Sequence, residues 1–393
     1  MIVVDNSEKY KPGIRALIIG VGRYDSAQGY DLYDISSATA SALEFALWLN
    51  NKLRFPSFLS GNLEYLDVEY LDVLVSAPQD MESSVKDNYR QRLHQVNQSW
   101  NYEEVHFKSI ENAIFKWKDE CNRSVNEVAF FYFCGHGIEH NGIRALLAQD
   151  FNAATHDFKK SLDLATFYDA TASFQATNKY FFIDSCRETP RPVRSLTKIS
   201  PNPVIYPSIG LSHCKDAPLY SATKESDSAW GHKTQISQFT DAIIRAFNGS
   251  GACMGGGDFQ GKWIVSGHRF MQGITDVLEL EKKYNGAKHQ TPQNDGNMTG
   301  TVLHVIENNP EIPAVFTWPK ELKTIYYKLL RNNIKDTWNK SPKIIEAFSV
   351  YTPIDSLQAS CNHDGRTIIL DPDNVFLLPP FLDISFQLGK NSQ

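Results

Sequence analysis

The feature that most constrains this chain is a series of short, dense apolar runs separated by stretches with helical spacing. They fall at Ile14–Val21, within 65–75, at Val128–Cys134, and at 180–183 and 219–222. Runs of that length, bounded by polar segments, are how strands buried on both faces read, and intervening helices are how parallel strands are joined. The chain is therefore expected to be α/β, with a mostly parallel central sheet flanked by helices. Residues 36–53 place Ala38, Ala42, Phe45, Ala46 and Leu49 on one helical face, and 109–117 and 239–247 read as further helices. Residues 76–99 are polar without a clear period and are expected to be a surface excursion. Trp263, Ile264 and Val265, and then Val302–Ile306, read as late strands, so the sheet is expected to close near residue 306.

The boundaries drawn from this pattern are a main domain over 1–307 and a small α+β module over 308–393. Within the module, 320–338 is expected to be helical, with Trp318, Tyr326, Tyr327 and Trp338 facing either a core or a partner protein. Residues 188–214 hold five prolines and are expected to be an exposed, extended loop. Composition excludes several classes of function. At 42% hydrophobic and 21% charged the chain can build a core, and a formal net charge of −6 gives no positive field for nucleic acid or anionic lipid. No stretch approaches the roughly 20 apolar residues of a membrane span. Six cysteines without CxxC pairs point to reduced thiols and a cytoplasmic protein.

Two strand ends carry the chemistry. Gly135-His136-Gly137 follows the run Val128–Cys134, and Asp184-Ser185-Cys186-Arg187 follows the run at 180–183. In open α/β sheets, reactive groups gather beyond the carboxyl ends of strands, where loops vary without disturbing the sheet. A thiol acts at neutral pH when a neighbouring base lowers its pKa from about 8.5 or takes its proton, so Cys186 and His136 are the candidate pair. Cys134 shares a face with His136 by period-two spacing and stands as a rival nucleophile. A zinc site built from Cys134, His136, His140 and Cys186 is the other reading of the same residues, although helical HxxxH or paired CxxC spacing is absent.

With these motifs the chain resembles the caspase-like cysteine peptidases, and within them the bacterial caspase-like proteins and metacaspases. The likeness starts at Arg15-Ala16-Leu17-Ile18-Ile19-Gly20-Val21-Gly22. It continues through the two motifs above, which stand 50 residues apart, and through Leu147-Ala148-Gln149-Asp150, Tyr220-Ser221-Ala222-Thr223 and Gln238-Phe239-Thr240 to His289-Gln290-Thr291-Pro292. About residues 12–306 are covered. The resemblance implies a caspase-haemoglobinase-like sandwich, and acyl transfer through a Cys186/His136 dyad with a thioester intermediate. It further implies an oxyanion site at the backbone N–H groups of Gly137 and Cys186.

In metacaspases the acidic residue two before the nucleophile lines the pocket for a basic P1 side chain. That position is Asp184 here, with Cys134 and Ser221 as further candidates for the pocket; the alternative for Asp184 is a carboxylate that only binds loop amides. Two departures from the family pattern stand out. Its Asn-Asp-Ala reads Ser36-Ser37-Ala38 here, and its serine before Gly-His-Gly reads Cys134. Residues 188–214 occupy the place of the linker that caspases cut, and Arg194 and Lys198 are its candidate self-cleavage sites. The implied partners are a protein or peptide substrate and a regulatory protein bound through the C-terminal module, with no nucleic acid and no membrane. No cofactor is implied, and a calcium requirement is left open. Family analogy extends to bacterial regulated cell death and antiviral defence. A catalytically silent scaffold on the same fold is the alternative function.

Overall fold

The apolar runs become the strands of one sheet. The computed structural model describes residues 2–6, 11–25, 32–208, 215–224, 236–297 and 300–317, and beyond these the segments 327–331, 334–338, 343–349, 356–363, 366–371, 375–376 and 378–388. We number the strands of the main sheet β1 (Ile2–Asp5), β2 (Ile14–Val21), β3 (Val68–Ser76), β4 (Val128–Cys134), β5 (Asn178–Asp184), β6 (Ala217–Ser221) and β7 (Gln293–Asn297). Their order across the sheet is β1-β3-β2-β4-β5-β6-β7. The five central strands are parallel, and the edge strands β1 and β7 run antiparallel to their neighbours. The expected α/β class is what forms.

Helix α1 (Ser36–Lys52) covers one face of the sheet, and α3 (Phe107–Cys121) contributes to the cover on the other, with α2 (Ser83–His94) between them in the chain. Alternate strand residues face opposite sides. On the α1 face, Phe45 stacks on Tyr132 at 4.7 Å between ring centroids and meets Phe182 at 5.3 Å, while Phe182 stacks on Tyr220 at 5.4 Å. On the α3 face, Trp117 meets Phe131 at 5.9 Å, and Phe131 meets Phe167 at 4.9 Å. A fully buried ring of this kind contributes about 1.5–3 kcal/mol.

Several local expectations are corrected. Residues 83–94, within the polar surface excursion expected over 76–99, form the helix α2. Only Leu93 of that helix is buried, which leaves no apolar period to read, and Arg92 grips the Glu44 carboxylate at 2.5 and 3.0 Å. The main sheet is closed by β7, whose sequence Gln-Asn-Asp-Gly-Asn carries no strand signal and pairs with β6 through tertiary contact alone. The stretch after residue 188 is not wholly extended. Arg191–Arg194 is a single helical turn with Pro192 in its first turn, where a missing N–H costs nothing, and Val193, Ile199 and Ile205 are buried. Asn202 ties the segment down by bonding Ser161 and Asp163 through the backbone.

By contact the chain divides into two compact units, Met1–Ile244 with Glu281–Thr301, and Arg245–Leu280 with Val302–Gln393. The first holds the sheet just described. In the second, Trp263–Ser266 pairs with Ala252–Met254 and Val302–Ile306 in a separate antiparallel sheet. Most of its later described residues are in strands. Tyr327–Arg331 and Ile334–Trp338 form an antiparallel pair where a helix was expected, because pairing of Tyr327–Arg331 with Ser356–His363 overrides the local helical spacing. Trp318 and Tyr326, and residues 209–214 of the linker, lie outside the described residues. No helix among the described residues is long and apolar enough to cross a membrane.

Candidate active site

The site is a consequence of strand register. β4 and β5 pair in parallel from Asn178 opposite Val128 to Asp184 opposite Cys134. Each pair differs by the 50 residues that separate the two motifs, so His136 and Cys186 each lie two residues beyond the last matched pair of neighbouring strands. The two strand ends do approach closely there: the Gly135 N–H donates to the Asp184 carbonyl at 3.3 Å. A Cβ on Gly137 would lie 2.6 Å from the Cys186 carbonyl oxygen and 2.7 Å from Ser185 Oγ. Only hydrogen fits between them. The chain then turns through a hairpin, Gly137–His140 with Ile143–Leu147, whose Asn141 and Gly142 have φ of 51° and 76°. Such a two-residue Asn-Gly turn matches the twist of the paired strands and aims the hairpin back over the strand ends.

His136 is held from two sides. Its backbone N–H donates to the Tyr24 hydroxyl at 2.7 Å, and Nε2 lies 2.9 Å from the Tyr33 carbonyl oxygen. A carbonyl only accepts, so Nε2 carries the hydrogen and the neutral ring keeps Nδ1 as its free base. The Tyr24 ring packs on the imidazole at 4.7 Å, and the exposed Tyr33 ring stands edge-on to it at 5.8 Å. Desolvation pushes the imidazole down to about 4, opposed by the Tyr33 carbonyl, which favours the charged ring. The ring is a neutral base at ordinary pH. Cys186 is a partly exposed thiol outside any disulfide.

Cys134 and Asp184 are register partners on the α1 face, 4% and 3% exposed. The Asp184 carboxylate accepts from the Ser237 hydroxyl, and from Thr240 Oγ1 at 2.7 Å; burial raises its pKa and these donors restrain the rise. Burial, reinforced by Asp184, pushes the Cys134 thiol well up, so it stays protonated and is a poor nucleophile. Ser221 is register partner to Ile183, so it faces the side opposite to Asp184, and its hydroxyl accepts from Arg144 Nη1 at 2.8 Å. The structure thus joins Asp184 to Cys134 and sets Ser221 apart. His140 Nε2 is engaged 2.7 Å from the Leu196 carbonyl, and among the described residues no group of three or more His, Cys, Asp or Glu could hold a metal ion. Arg194 and Lys198 are exposed.

Sequence reasoning missed Tyr24, Tyr33 and Arg144. The two tyrosines lie outside the helices and strands, in sequence with no motif of its own. Arg144 had a signal, a lone charge inside an otherwise apolar strand, and such a charge is buried only for a reason.

The fold and site together define an α/β protein whose mostly parallel sheet carries a histidine and a cysteine just beyond two adjoining strand ends. Residues 14–301 match the peptidase C14 family model, described as the caspase domain, and the chain belongs to that family. The protein of Sinorhizobium fredii called uncharacterized protein y4kE is 25% identical over 209 residues, which span 52% of this chain and 59% of that relative. Among solved structures, the crystal structure of caspase-1 from Spodoptera frugiperda is similar with a TM-score of 0.42 and 11% identity, covering 76% of this chain and 94% of that one.

Proposed function

We propose that the protein is a cysteine endopeptidase in which Cys186 attacks the peptide carbonyl and His136 moves the protons. The observation that carries this reading is the β4–β5 register, which brings the two strand ends together, with an imidazole whose free nitrogen is fixed by the Tyr33 carbonyl. In the first half-reaction the thiol proton passes to Nδ1, and the Sγ–C bond forms as the carbonyl becomes an oxyanion facing the backbone N–H groups of Gly137 and Cys186. Collapse breaks the C–N bond, and the imidazolium protonates the departing amine. Water then attacks the thioester, giving its proton to His136, and the acid product leaves as the Cys186 thiol is restored.

Cys186→Ala and His136→Ala are each expected to abolish peptide cleavage with the fold intact, since the two act as one unit. A peptide halomethyl ketone is expected to label Cys186. Substantial cleavage by either variant would overturn the dyad and favour a silent scaffold. For the substrate, the reading includes a basic P1 residue paired with Asp184. The hydroxyls of Ser237 and Thr240 support it by holding that carboxylate in one orientation.

A further inference from the structure

One residue before the candidate nucleophile, the chain contacts a buried cation. Arg144, in the strand Ile143–Leu147, is 6% exposed. Its Nη1 donates to Ser221 Oγ at 2.8 Å and its Nη2 to Ser185 Oγ at 3.1 Å, while Nε has no hydrogen-bond partner. Its acceptors among the described residues are therefore two neutral hydroxyls. The neighbouring carboxylate of Glu139 is occupied by Arg187, which grips it at 2.5 and 3.1 Å and also donates to Gln293 at 2.8 Å. Asp295 is exposed and accepts from the Gln293 amide. A neutral side chain would satisfy two serines at less desolvation cost, so packing alone does not account for a guanidinium there.

We propose that Arg144 is a positioning residue for the nucleophile: tethered through Ser185 and Ser221, it holds the backbone leading to Cys186 and favours the thiolate of that residue. This rests on the reading of Cys186 as the nucleophile. The thiol proton goes to Nδ1 of His136, and Arg144 transfers none. Other groups around the pair are Tyr24, which burial keeps neutral, and the Arg187–Glu139 pair with Asp295 near the guanidinium. Burial and the like charge of Arg187 hold Arg144 down to about 9, and a charged Cys186 acts in the opposite direction, favouring the cation. That mutual effect is reciprocal: a thiolate that stabilises the guanidinium is stabilised by it.

The test titrates the thiol without requiring turnover. The full chain is alkylated with iodoacetamide across a pH series, and the Cys186 peptide is quantified by mass spectrometry for the wild type, Arg144→Gln and Arg144→Lys. The midpoint is read rather than a single rate, because a more basic thiolate is also a stronger nucleophile. Arg144→Gln is expected to raise the Cys186 midpoint by about one unit, and Arg144→Lys to return most of that shift. An unchanged midpoint in a folded Arg144→Gln overturns the proposal. Should that variant not fold, Ser221→Ala keeps the charge and removes one tether: a raised midpoint supports the role and an unchanged one overturns it. A failure of the dyad shows elsewhere, as peptide cleavage by Cys186→Ala, whatever the titration gives.

Discussion

At the scale of single residues, the carboxylate and the imidazole of the site lend themselves to direct test. Asp184→Asn keeps the shape and the hydroxyl contacts of Ser237 and Thr240 but removes the charge. A charged hydrogen bond is worth about 1.5–3 kcal/mol, so the variant is expected to lose roughly tenfold or more in kcat/KM for peptides with Arg or Lys at P1, and little for neutral ones. Equal losses on both would make Asp184 a support of the strand end only. His136 has a folded-state pKa near 4, below the ordinary value of about 6.5 for the unfolded chain. The unfolded state therefore binds the proton first, and the stability associated with the neutral ring is present above about pH 6.5 and lost as pH falls towards 4. Thermal melts across that window are expected to fall more steeply for the wild type than for His136→Gln, and parallel curves would contradict a folded-state pKa below the ordinary value.

At the scale of elements, the hairpin Gly137–His140/Ile143–Leu147 and the segment after Glu188 are stitched together. The Glu139 N–H donates to the Glu188 carbonyl at 3.4 Å, the Thr189 hydroxyl bonds the Glu139 carbonyl, and Asn141 reaches the Thr197 carbonyl at 3.3 Å. Proteolysis requires an extended strand of substrate, and Arg194 sits in a helical turn whereas Lys198 lies beyond it. If the chain cuts itself, we expect the new N-terminus at Ile199 rather than Ser195, and a rate below that for a free peptide. N-terminal sequencing against a Cys186→Ala control reads this, and an active enzyme that stays full length removes self-processing from its mechanism.

At the scale of the molecule, the end of the parallel strands away from the candidate site carries a buried ion cluster. Opposite the site, Arg15 at the start of β2 is 1% exposed and holds Glu127 through Nε at 2.9 Å and Nη2 at 3.2 Å, with Glu120 3.4 Å from Nη1. The Gly13 N–H also donates to Glu127 at 2.9 Å. Removing one partner of a buried pair strands the other, so Glu127→Ala is expected to cost about 3–5 kcal/mol in denaturant unfolding. Peptide cleavage per folded molecule is expected to be unchanged. A specific loss of kcat in the folded variant would show that the two ends are coupled.

The sequence alone determined the class of the fold and the two residues on which the chemistry is proposed to rest. Val128–Cys134 and the run at 180–183 are apolar throughout, and such a run can be stable only when covered on both faces, so their place in a parallel sheet was legible before any coordinates. The 50-residue spacing of His136 and Cys186 already contained the strand register, because two parallel neighbours of matched length carry one offset from end to end. Tertiary structure decided what has no local signature. β7 is a strand because β6 offers its edge, and Tyr327–Arg331 is one because two partners outweigh helical spacing. The tautomer of His136 depends on a carbonyl 103 residues away in the chain, and Arg144 meets Ser185 and Ser221 only when a hairpin folds back. Periodicity records which faces of an element are apolar, whereas hydrogen bonds between distant segments leave no periodic trace, so the partners around the dyad emerge only with the fold.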